Sequence, residues 1–534
     1  MSACRLPFTL PAFPLPAFPL LASSLGLIVA LPAIGFILTR DFDGLYGQDP
    51  YAYYGYATGA LREALLGLQL PPPFAWPPGY PLLVAFASLL VGTAPAAGQT
   101  ISLLSAAIVP PATGLLAYEL LPDLAHRRRT AIALLAGLLV ALVGQLWQSG
   151  VVVMSDTTGL ALATTGAWAL ARYANTAGLR WIMLAGAALA LAISVRWAYG
   201  LVALPLGLLG LYLIVRGRPS RPISIHLAVP AVAAVLILTP TVLPMAMAAL
   251  GGGPIPFAVD FAAYHWDLFN ALRSQFETVD GTLSYGLPTG AYYLGTLAQW
   301  YFFTPLALAL VVPGLAYVVR TSTAVRMTML LAWPAITLGF LIGSSYQNPR
   351  FLLPVLPPLA ILIALGGAQL SVHLQRRVGR GLAATPLVLV ALGAVVMLVG
   401  AHRLTSDFID RQQTDRQAAR ALAASLPPEA RMVSFGPTLS LRYDLRDEGD
   451  EVLELWELSP EAALALAAAG QPMYLLVDAE AMENQWAALP VGATFQALRD
   501  GPGLHAVARN GIYTLFEVGR SRTGLMMGRQ GSGR

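Results

Sequence analysis

Two carboxylates and two arginines hold most of the chemistry this sequence could perform. Asp49 heads the run Asp49-Pro50-Tyr51-Ala52-Tyr53-Tyr54, and Asp156 follows Ser155 between two apolar stretches. Arg196, in Ser194-Val195-Arg196-Trp197, and Arg350, in Asn348-Pro349-Arg350-Phe351, sit in equally apolar company. A carboxylate can take the proton of an attacking hydroxyl, and a guanidinium can pair bidentately with phosphate. Such a set suits a reaction that removes a phosphate-linked group. Each member also has a plainer account. Asp before Pro favours a helix start, Asp156 could cap the helix after it, and an arginine at a helix end can snorkel to the headgroups. Ionisable groups near hydrocarbon depth are nevertheless costly enough to count as functional candidates.

The elements that must position these residues are membrane helices. Of the 534 residues, 56% are hydrophobic and 11% charged, whereas a soluble globular chain carries roughly 25% charged residues. Apolar runs recur over 20–399, separated by short loops that hold most of the charge. The net charge of +4 comes from arginine alone, which reflects codon bias and not nucleic-acid binding. The single cysteine, Cys4, excludes an intrachain disulfide and a thiolate metal site.

Arginines cluster at Arg127, Arg128 and Arg129; Arg172 and Arg180; Arg216, Arg218 and Arg221; Arg320 and Arg326; and Arg376, Arg377 and Arg380. The positive-inside rule places these loops in the cytoplasm, with outward turns near Asp156, near Arg196, at 251–293 and at 344–350. The segment 81–91 is too short to cross and is expected to lie along the outer leaflet. About eleven spans follow, with the N-terminus inside and the C-terminal domain outside. The apolar run that ends at Arg40 lacks a small-residue cleavage site, so a cleaved signal peptide is not expected.

The chain thus divides into a membrane domain, 1–400, and a small extracytoplasmic α/β domain, 401–518, followed by a tail, 519–534, expected to be disordered. The membrane domain carries a first outward loop, 40–99, and a second, 251–293. In the C-terminal domain Ser459-Pro460-Glu461 signals a helix start, and 474–477 and 512–518 read as strands.

The sequence resembles the GT-C superfamily of polytopic glycosyltransferases, which includes protein O-mannosyltransferases and aminoarabinose transferases. The matching pieces are Asp49-Pro50-Tyr51-Ala52-Tyr53-Tyr54, Pro77-Pro78-Gly79-Tyr80-Pro81, Ser155-Asp156, and Asn348-Pro349-Arg350-Phe351-Leu352-Leu353-Pro354, in that order along most of the chain. The resemblance implies a mainly α transmembrane bundle that moves a sugar from a polyprenyl-phosphate donor to a lipid, glycan or protein acceptor on the outer face. It makes Asp49 the general base and Asp156 the second active-site carboxylate. Arg350 and Arg196 then serve the donor phosphate, which leaves as a stable anion, and inversion is expected. Tyr53, Tyr54, Trp76, Tyr80 and His265 could contact the sugar, although aromatic belts are the commoner reason for such residues. The family often pairs acids in the first loop, whereas here Gln48 precedes Asp49; no cofactor is indicated and a divalent metal is left open. Asp41 or Asp43 could supply the second acid, but a solvated loop beside Arg40 explains them more simply. A lipid or solute transporter or flippase is the rival reading, against which stands the lack of an inverted repeat. A third is an inactive homologue serving envelope assembly.

Overall fold

The computed structural model describes residues 17–69, 71–72, 74–216, 222–251, 265–378, 385–446 and 451–519. Arg218, Arg221, Arg380, Asp260, Tyr264 and nearly all of the tail expected at 519–534 lie outside the described residues. The chain forms two compact units. One comprises 1–44, 53–274 and 286–408; the other comprises 45–52, 275–285 and 409–534.

The first unit is a bundle of apolar helices. Among the described residues, seven helices are long and apolar enough to cross a membrane, or eight if a pair bent by 60° at a break, His126–Ala141 with Gly144–Gly150, counts as one span. This corrects the expected eleven. The helix Asp156–Thr176 has the length, but Asp156, Thr157, Thr158 and Thr164 lower its hydropathy, and these side chains are buried against protein. Leu179–Val195 has 17 residues, and the apolar stretch to Arg320 is divided into Pro305–Ala309 and Val311–Arg320. A helix that faces protein needs little of the continuous apolarity that lipid demands. The expected interfacial segment is the 13-residue helix Gly79–Val91.

Helices in lipid gain little from the hydrophobic effect between them and pack through small residues instead. The stretch Pro349–Arg377 illustrates this, being 89% buried in its apolar window. A Cβ on Gly366 would lie 1.8 Å from the Leu310 carbonyl oxygen, and one on Gly314 would lie 2.2 Å from that of Leu362. Both glycines let backbones touch where any side chain would force the helices apart.

The second unit is built on a five-stranded sheet. Its strands are β3 (Arg431–Phe435), β4 (Val452–Glu454), β5 (Met473–Val477), β6 (Leu504–Asn510) and β7 (Tyr513–Val518), numbered after the hairpin strands β1 (Gln275–Thr278) and β2 (Gly281–Ser284). The order is β4-β3-β5-β7-β6; β3 runs parallel to β4 and β5, and the remaining pairs are antiparallel. Alternation along β3 sends Val433 into one apolar cluster, with Leu475 and Phe495, and Met432 into another, with Leu441 and Leu476. Ser459 caps the helix Pro460–Ala468 by accepting from the Ala462 amide, the start that Ser-Pro-Glu signals.

Two short segments from the outward loops belong to this unit. Within 45–52, Gln48 Nε2 donates to the Gly436 carbonyl at 3.3 Å, and the Tyr51 ring lies 5.8 Å from that of Tyr443. The β1–β2 hairpin is fastened to Gln485, whose carbonyl accepts from the Thr282 amide at 2.8 Å and whose side chain donates to the Asp280 carbonyl at 2.7 Å.

Candidate active site

Asp156 is the first residue of its helix, after the N-cap Ser155, whose side chain makes no capping hydrogen bond. Asp156 is 4% exposed and pairs with Arg196, Nη1 to Oδ1, at 3.0 Å. Asp156 is thus engaged in an ion pair at the start of its helix, and the Arg196 guanidinium is held there by protein. Arg196 ends the helix Leu179–Val195 in extended backbone, φ −159°, and the chain turns there through Trp197–Tyr199. The same turn sends Tyr199 inward, where its hydroxyl donates to the Asp156 carbonyl at 3.0 Å. Gly159 makes room for this ring, since a Cβ there would lie 2.2 Å from it.

The non-helical stretch 151–155 that delivers Asp156 is buried, so its backbone polar groups need partners inside the protein. Gln99 Nε2 donates to the Val151 carbonyl at 3.0 Å and to that of Phe42 at 2.8 Å, which also ties down the start of the first loop. The Val153 amide donates to the Gly44 carbonyl at 3.0 Å, and Ser102 Oγ donates to that of Met154 at 3.1 Å. Thr157 Oγ1 donates to the Ser102 carbonyl at 3.0 Å. One helix, Ala96–Leu120, thus fixes the approach to Asp156 through Gln99 and Ser102.

Arg350 lies in the 3₁₀ turn Pro349–Val355, started by Asn348, whose side chain accepts from the Arg350 amide at 3.1 Å. Its guanidinium carbon is 5.5 Å from the centroid of the Phe351 ring, and that of Arg196 is 5.6 Å from the same centroid. Phe351 therefore joins the two arginines, and with them Asp156, into a single cluster. Nothing in the sequence marks Phe351 or Tyr199 for this, because their contacts arise at helix breaks far apart in the chain.

Around the first loop, Tyr53 packs against Trp76 at 5.2 Å and edge-on to Tyr80 at 5.5 Å, while Phe74 stacks on Tyr56 at 4.1 Å. Tyr80 is fully buried, and its hydroxyl meets Ser102 Oγ at 2.9 Å and the Gly98 carbonyl at 3.2 Å. The expectation of a sugar contact at Tyr80 is corrected: no face of its ring is open, and it works as packing for the helix that carries Gln99 and Ser102. Tyr54 is also buried, with its hydroxyl on the Thr93 carbonyl at 2.5 Å. Trp76 keeps partial exposure. His265 is exposed at φ +37°, and its carbonyl accepts from Asn270 at 2.8 Å.

Asp49 opens the helix Asp49–Tyr56 and belongs to the second unit, in the segment anchored by Gln48 and Tyr51. Among the described residues no group of three or more His, Cys, Asp or Glu could hold a metal ion.

The model of the dolichyl-phosphate-mannose-protein mannosyltransferase family matches residues 83–264, a stretch that contains Asp156 and Arg196. No curated protein matches the sequence. Solved structures match over nearly the whole chain. ArnT from Cupriavidus metallidurans in the apo state is 16% identical, with a TM-score of 0.58 over 92% of this chain and 97% of that one. The same protein bound to undecaprenyl phosphate is 15% identical, with a TM-score of 0.58 over 94% and 98%. The chain shares the fold of that protein. The archaeal oligosaccharyltransferase AglB from Archaeoglobus fulgidus matches at 12% identity and a TM-score of 0.53, over 93% of this chain and 73% of that one.

Proposed function

We propose that the protein is a membrane glycosyltransferase that moves a sugar from a polyprenyl-phosphate donor to an acceptor on the outer face of a bacterial plasma membrane. The observation that carries this reading is the joining of Asp156, Arg196 and Arg350 through one ion pair and one shared ring, within a GT-C fold. Support for the donor class comes from two relatives of that fold, solved with undecaprenyl phosphate and with a dolichol phosphate.

In this mechanism Asp49 accepts the proton of the acceptor hydroxyl as its oxygen attacks the anomeric carbon. The bond from that carbon to the donor phosphate oxygen breaks, and the electron pair leaves with the polyprenyl phosphate. One displacement inverts the anomeric configuration. The leaving group is a stable anion, so cationic stabilisation of its developing charge serves better than a general acid. Arg350 supplies it, and Arg196 holds Asp156 in place while adding to the field. Trp76 and His265, which keep some exposure, remain candidates for contact with the sugar, whereas Tyr53 is buried like Tyr54.

The phosphate role of Arg350 is tested by donor binding. Arg350→Ala should weaken binding of undecaprenyl phosphate, read by native mass spectrometry of the purified protein, by at least about tenfold. Arg350→Lys should recover little, because an ammonium cannot reproduce a bidentate fork. Wild-type binding by the alanine variant would return Arg350 to a packing role on Phe351.

The proposed topology puts both outward loops and the C-terminal domain outside the cell. With Cys4 replaced by serine, cysteines introduced at the exposed positions Gln69 and Ala468 should react with an impermeant maleimide in intact cells. Protection of either until the cells are lysed would overturn the orientation.

A further inference from the structure

The parallel strands of the C-terminal sheet lie in the order β4-β3-β5, so the chain leaves β3 toward one side and returns on the other. Connections that diverge in this way open a crevice outside the carboxyl ends of the strands, where open α/β sheets take their ligands. Each of the three strand ends contributes an aromatic ring there. Phe435 is the last residue of β3, Trp456 follows β4 by two positions, and Trp486 follows β5 and the short helix Ala479–Glu483.

These rings hold one another. Phe435 and Trp456 are parallel within 12° at 6.2 Å, and Trp486 stands edge-on to both, at 4.9 Å from Phe435 and 6.0 Å from Trp456. Phe435 and Trp486 are partly buried on the apolar cluster beneath, yet Trp456 remains 49% exposed. An indole braced by two rings presents a flat apolar surface that loses little freedom when something settles on it.

The rim is polar and acidic. Glu457, next to Trp456, is 3.6 Å from Arg442, and burial holds the Glu454 carboxyl above its usual range. Among the described residues, 451–457 carry three carboxylates, Glu451, Glu454 and Glu457, and no basic residue. That charge repels a phosphate or an anionic lipid surface. A pyranose fits both features, because its C–H face is apolar while its hydroxyls can donate to carboxylates and accept from a guanidinium.

We propose that Phe435, Trp456 and Trp486 form a carbohydrate-binding platform for an uncharged or amino-bearing saccharide. That it holds an acceptor glycan rests on the transferase reading; the binding itself does not. The test uses the full-length protein in phosphatidylcholine nanodiscs, titrated calorimetrically with cellohexaose and with chitohexaose. At least one should bind saturably, and Trp456→Ala should weaken that binding by roughly tenfold. Trp456→Phe, which keeps a flat ring, should weaken it less, with both variants melting as the wild type does. No binding of either hexasaccharide, or equal binding by wild type and Trp456→Ala, would overturn the proposal. So would contact with lipid, seen as a brominated-lipid quench of tryptophan emission that disappears in Trp456→Phe. Saccharide binding without sugar transfer would leave the platform standing and count against the transferase; transfer without binding would do the reverse.

Discussion

Asp49→Asn should reduce sugar transfer by at least about 100-fold while leaving the protein folded in the membrane. The carboxamide keeps the size of aspartate and its preference for a helix start, and Asp49 is the first residue of the helix Asp49–Tyr56. A role limited to helix capping would therefore cost at most about 1 kcal/mol of stability and leave turnover nearly unchanged. What the amide cannot do is accept a proton from the acceptor hydroxyl. Initial rates of purified variants with matched melting temperatures separate the two roles, and a fully active Asp49→Asn protein would remove the base from the mechanism.

The second large effect should appear at Arg196, in stability. Asp156 is 4% exposed, and its carboxylate meets the Arg196 guanidinium at 3.0 Å. Arg196→Ala would leave a buried charge without its counterion, a change that costs roughly 3–5 kcal/mol in comparable buried pairs. Adding Asp156→Asn to Arg196→Ala should restore much of the loss, because the orphaned charge is gone, and the double-mutant cycle then isolates the coupling. An arginine that merely reached for the headgroups would show neither the loss nor the rescue. Denaturation midpoints of the four proteins in one detergent provide the measurement.

Much of this was legible in the sequence, and the limits have physical causes. Apolar runs and arginine loops expose a membrane bundle because lipid imposes a compositional rule that water does not. The same rule counts spans poorly, since a helix such as Asp156–Thr176, sheathed by other helices, escapes it. The candidates Asp156, Arg196 and Arg350 stood out as charges in apolar surroundings, and the structure brings them together. Their mutual pairing was not legible, because it depends on helix breaks at 151–155 and 196–199 whose directions are set by Gln99, Ser102 and Gly159. Tyr80 misled for a related reason: an aromatic beside prolines reads as an interface residue, and only packing shows that its ring is enclosed. In the C-terminal domain the short apolar runs at 474–477 and 512–518 read as strands, whereas the order that puts β4 and β5 on opposite sides of β3 is a long-range property with no local signature.

The central claim, that this chain transfers sugar from a polyprenyl phosphate, is tested most directly by incubating the purified protein with radiolabelled polyprenyl-phosphate sugars and a bacterial envelope extract as acceptor. The account predicts that at least one donor yields labelled acceptor together with an equal amount of free polyprenyl phosphate, and that Asp49→Asn yields neither. Unchanged donor in every case, or labelled donor moved intact across a proteoliposome membrane, would contradict it and favour a transporter.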